Sequence, residues 1–190
     1  MKRNLQLKEI EIMIDELINI LAAEPIKSDQ ALRIQHEHHL YAECVRELLA
    51  LMRLPSRVKV KMYPDKLWPH KPGSAAKIFI PATLPFLYDP AYQKIVFQID
   101  IRESHTREYI PFLIVTVHEL AHLLLHSLQH NLRKSEIATD LVLIVLGFGD
   151  IVKQAYNGQA RLGYLDYQEF DHALIYFKKR QLQKNLFNWR

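Results

Sequence analysis

This chain has little of what marks secreted, membrane-spanning or linker-rich proteins. It has one cysteine, Cys44, in 190 residues. That excludes an intramolecular disulfide and fits a reducing compartment. Only five glycines are present, no Gly/Ser-rich or low-complexity linker interrupts the chain, and no internal repeat is visible. Behind the basic Met1-Lys2-Arg3, the residues Glu9, Glu11, Asp15 and Glu16 break any signal-peptide core. No uninterrupted apolar run approaches membrane-spanning length. These absences predict a cytoplasmic protein, with no membrane partner.

Hydrophobic residues make up 49% of the sequence, enough at this length to bury a sizeable core in one domain. The net charge of +4 raises the question of nucleic acid. Basic residues gather at Arg53, Arg57, Lys59 and Lys61, and again at Lys178, Lys179, Arg180 and Lys184. The first group alternates with Val58, Val60 and Met62, as the solvent side of a strand does. The second decorates a helix end, where cations suit the macrodipole. Both read as solvated faces, and no nucleic-acid partner is expected.

Periodicity predicts helices at the two ends and a mixed centre. Residues 4–22 carry Leu5, Ile10, Met13, Ile14, Leu17 and Leu21 on one face, ending near Pro25. Ser28 can cap a second helix running towards Leu54. Extended runs follow at 57–63, 77–80 and 94–101, the last placing Ile95, Phe97, Ile99 and Ile101 on one face. Asp166 with Glu169 three residues on has the spacing of a capping box opening a final helix. The expected organisation is a helical region, 1–54, packed on a core of 55–190 within one compact domain.

The most informative stretch is His118-Glu119-Leu120-Ala121-His122. Leu113, Val117, Leu120, Leu124 and Leu128 recur around it at helical spacing, so both histidines fall on one face of a helix. Two imidazoles placed so can reach one metal ion, and Glu119 stands where it can hold a water. Downstream, Glu136 and Asp140 are also four apart, between Ser135, a candidate N-cap, and Gly147, a candidate residue just past a helix end. His126 and His130 continue the spacing along the motif helix, but too far along its axis to share one tetrahedral site. His36, His38 and His39 read as a polar solvated face, and His70 as a loop residue.

HExxH followed by ExxxD resembles the gluzincin branch of the zincin metallopeptidases. The resemblance implies an α+β zincin-like fold, with an active-site helix packed on a small sheet between helical N- and C-terminal parts. It implies Zn2+ held by His118, His122 and Glu136, with Glu119 as general base and Asp140 orienting a histidine. The short gap between the motifs resembles minimal gluzincins and leaves open an Asp140 ligand with Glu136 outside the shell. The third histidine and Met-turn of metzincins are missing: Leu125 and Leu128 stand at the Gly and His positions, and all four methionines precede the motif. More loosely, roughly residues 94–177 are similar to uncharacterised bacterial proteins carrying an HExxH domain.

The implied activity is hydrolysis of peptide bonds in a peptide or protein substrate. His172, Tyr164 and Tyr156 are the candidates for stabilising the oxyanion. The resemblance also implies that the 94–101 strand offers a free edge to an extended substrate; an interior strand is the alternative. Two other readings stand beside the enzyme: a non-catalytic zincin-fold protein whose zinc site serves regulation or binding, and a helical interaction module with incidental histidines.

Overall fold

The computed structural model describes residues 7–21, 25–26, 28–155 and 163–187. These residues form seven helices and a three-stranded mixed sheet, so the α+β expectation holds. The helices are α1 (Leu7–Leu21), α2 (Gln30–Glu37), α3 (Tyr41–Leu51), α4 (Tyr109–Ser127), α5 (Glu136–Val145), α6 (Gly149–Ala155) and α7 (Tyr167–Phe187). The strands are β1 (Arg57–Tyr63), β2 (Ala76–Phe79) and β3 (Val96–Arg102).

In α1, Ile10, Ile14, Leu17 and Leu21 are buried, following the predicted stripe, and the helix packs on α5 and α7. The single helix expected from Ser28 towards Leu54 is two helices instead. His39, at φ 57, turns the chain left-handed after α2. The amides of His39 and Leu40 donate to the carbonyls of His36 and Gln35, closing the helix end in the pattern usually made by glycine. His36, in the last turn of α2, faces inward. It is buried against Tyr41, Tyr109 and Phe112, with Nε2 2.9 Å from the Thr106 carbonyl, so it does not belong to the solvated face expected of it.

Strand β3 lies in the middle of the sheet, paired parallel with β1 and antiparallel with β2. Both its edges are occupied, which overturns the free-edge expectation for 94–101; the edges belong to β1 and β2. Phe97, Ile99 and Ile101 bury one face against the helices. On the opposite face Asp100 is also buried, and His70 reaches from its loop to Asp100 Oδ2 at 2.9 Å.

Helix α4 runs through the interior, where Leu113, Val117, Leu120 and Leu124 join one core with residues of β3, α3 and α5. Among the described residues it is the one helix long and apolar enough on average to cross a membrane. Here it is the core helix of the fold, interrupted by His118, Glu119 and His122. It ends at Ser127, and with Gln129 at φ 51 the chain leaves the helical path. His130 is therefore not on the motif helix as expected; its ring accepts from the Leu132 amide in the following turn.

Candidate metal centre

Two helices meet to build the centre. Ser135 caps α5, its hydroxyl accepting from the Ala138 amide, and this fixes where α5 begins relative to α4. Gly147 closes the other end at φ 95, where a Cβ would stand 2.9 Å from the Ile26 nitrogen. With both ends fixed, Glu136 in the first turn of α5 faces His118 and His122 on α4.

The three donor atoms form a nearly equilateral triangle. His118 Nε2 to His122 Nε2, His118 Nε2 to Glu136 Oε2, and His122 Nε2 to Glu136 Oε2 are each 3.2 Å. An ion holding four ligands tetrahedrally at about 2.0–2.1 Å sets neighbouring donors about 3.3 Å apart. The triangle matches one face of that tetrahedron, so these residues could hold a metal ion.

Asp140 stands behind the triangle. Its Oδ1 lies 2.8 Å from His118 Nδ1, and its Oδ2 accepts the Tyr164 amide at 2.7 Å. With the Nδ1 proton of His118 donated to Asp140, Nε2 is left free on the side where an ion would sit, the arrangement that orients metal-binding imidazoles. Gly163 makes the arrangement possible. At φ 56 its missing side chain leaves room for Asp140; a Cβ there would lie 2.5 Å from both carboxylate oxygens.

Electrostatics follow from burial and these contacts. Burial alone would lower the His118 pKa, but the Asp140 and Glu136 carboxylates outweigh it and raise it to about 9 in the metal-free protein. His122 shifts down, through burial and the neighbouring His118. The hydrogen bond from His118 also keeps the Glu136 carboxyl below its ordinary value. Glu119 is buried and shifts upward through desolvation. Its Oε2 accepts the Ile78 amide of β2 at 2.7 Å, while Oε1 makes no hydrogen bond among the described residues.

A cleft of about 1010 Å³ opens over the triangle, lined by Ala76 and Lys77 of β2, His118, Glu119, His122, Glu136, Asp140 and Tyr164. The Tyr164 ring stacks alongside His118, with centroids 6.1 Å apart. His172 is not brought to the cleft. It lies on the α1 side of α7, with Nε2 3.1 Å from Glu11 Oε1. Tyr156 lies outside the described residues. Sequence reasoning missed two contributors, the backbone of Tyr164 and that of Ile78. Gly163 was the available signal for the first; the second follows from β2 being an edge strand and had none.

No protein-family model, curated protein or solved structure matches the chain. The functional reading therefore rests on the centre itself.

Proposed function

We propose that this protein is a zinc-dependent metallopeptidase of zincin type, with a gluzincin-like centre. The observation that carries the proposal is the His118–His122–Glu136 triangle with 3.2 Å sides and Asp140 behind it. Two imidazoles and one carboxylate are a donor set that suits zinc and leaves one tetrahedral position open. When bound there, zinc supplies Lewis-acid polarisation of a carbonyl and a lowered pKa for water.

The protein's own groups do the remaining work. Glu119 is the general base: Oε1 is free to take a proton from the attacking water and return it to the leaving amine. Its upward shift suits that exchange, because a carboxyl nearer neutrality both accepts and gives a proton. Tyr164, 56% exposed beside His118, is the candidate donor to the developing oxyanion. Asp140 holds the His118 ring in one tautomer and orientation. In place of β3, the edge strand β2 is where an extended substrate would pair. The Ile78 amide points to Glu119 and Ala75 bonds Arg102 of β3, so by alternation the Ala76 backbone groups face away from β3.

The bond from Ile78 to Glu119 also favours a second reading, in which the metal serves structure or regulation and Glu119 merely anchors β2. Hydrolysis of a diverse peptide library by zinc-loaded wild type and Glu119→Gln protein separates the two. The proposal expects cleavage that Glu119→Gln lowers by about 10²–10⁴-fold. Absence of cleavage by zinc-loaded wild type across the library would overturn it.

A further inference from the structure

At the far edge of the sheet from the cleft, β1 carries a two-sided pattern. Arg57, Lys59 and Lys61 point to the outer face and are exposed, while Val58 and Val60 on the inner face are half-buried and Met62 is 45% exposed. No acidic residue lies on β1. The nearest carboxylate on the outer face, Asp100, is buried and engaged by His70 and Gln98. Among the described residues, Lys59 and Lys61 form no ion pair; Lys61 rests over the Tyr63 ring, 4.4 Å from its centroid. Among the described residues β1 pairs with β3 alone, so along its other side alternate N–H and C=O groups face outward.

We infer that β1 is a docking edge for an acidic, extended segment of a partner protein, which adds to the sheet as a fourth strand. A strand laid beside β1 sets its own side chains next to those of β1 on both faces. Its outer-face positions meet the cation row and so call for Asp or Glu. Its inner-face positions meet Val58, Val60 and Met62 and so call for aliphatic residues. The partner is thus an alternating acidic–aliphatic segment of about seven residues, the length of β1.

A second copy of this chain does not fit. Antiparallel pairing of β1 with itself sets the cations opposite one another, which is destabilising. A single-stranded nucleic acid fits less well than an acidic strand. It would use the basic outer face but leave the outward backbone groups and the inner aliphatic row without partners. The docking edge is independent of the metal centre, which lies beside the opposite edge strand.

The test uses full-length protein and a nine-residue peptide alternating glutamate with valine, with binding followed by fluorescence anisotropy. Two further peptides carry N-methyl groups on the odd or on the even residues. Strand addition expects one methylated peptide to lose binding at least tenfold and the other to keep it, because only alternate amides face β1. Lys59→Glu with Lys61→Glu should weaken the acidic peptide at least tenfold and improve a lysine–valine peptide. Both sites are exposed, and an unchanged circular dichroism spectrum would show the fold intact. No binding to wild type, equal effects of the two methylation patterns, or tighter binding of oligothymidylate to the same lysines would each overturn the inference.

Discussion

Gly163→Ala should do more damage than its size suggests, and the reason can be isolated. At φ 56 an alanine sits in the left-handed region, at a cost of about 1–2 kcal/mol. Its Cβ would also lie 2.5 Å from both Asp140 oxygens, so the carboxylate must move. Moving it breaks or stretches the bonds from His118 and the Tyr164 amide, at 2.8 and 2.7 Å. Hydrogen bonds to a buried charge are worth about 1.5–3 kcal/mol each. With one of the two lost, the total for Gly163→Ala is about 2.5–5 kcal/mol. In an Asp140→Ala background the clash has no target, and only the backbone strain of about 1–2 kcal/mol remains. Urea denaturation of the metal-free wild type, both single variants and the double variant gives the coupling, expected at about 1.5–3 kcal/mol. Equal costs of Gly163→Ala in the two backgrounds would refute the account of how Asp140 is held.

Other expectations follow from the same geometry. In metal-free protein His118 is charged below about pH 9, so zinc binding should release a proton, and affinity should fall about tenfold per pH unit as pH drops below that value. Calorimetry in buffers of different ionisation enthalpy reads that proton directly; no release at pH 7 would contradict the raised His118. Because the folded pKa lies above the ordinary histidine value of about 6.5, His118 stabilises the metal-free fold fully below that pH and loses the contribution as pH rises through about 9. His172→Ala should leave kcat unchanged, since the ring faces Glu11 rather than the cleft; a large fall in kcat would return it to the reaction. Asp166→Ala should cost about 0.5–2 kcal/mol, seen as a lowered Tm, because Asp166 Oδ1 accepts the Glu169 amide at the start of α7 while Glu169 Oε2 accepts that of Asp166.

Features set by local chemistry were legible in the sequence. The apolar spacing around His118 located α4, Ser135 and Gly147 bounded α5, and Asp166 with Glu169 opened α7, because each signal acts within one helical turn. What was hidden depends on contacts between distant segments. His39 takes a left-handed conformation without being glycine, which no residue-type rule announces. Parallel pairing of β1 with β3 makes 94–101 an interior strand, a fact of chain crossing rather than of alternation. The choice between Glu136 and Asp140 as candidate third ligand turns on how α5 is set against α4 in space, which no local signal gives. There Asp140 lies on the Nδ1 side of His118 and Glu136 on the Nε2 side.

That choice is also where the central claim is most exposed. Metal content of untagged protein, purified without metal chromatography, should be measured for wild type, His122→Ala, Glu136→Ala and Asp140→Ala. The account predicts one zinc per wild-type chain, lost in His122→Ala and Glu136→Ala, and kept in Asp140→Ala with affinity lowered about 10–100-fold. A wild-type protein that holds no stoichiometric metal after zinc is supplied would contradict it, as would a Glu136→Ala variant that keeps zinc as tightly as wild type.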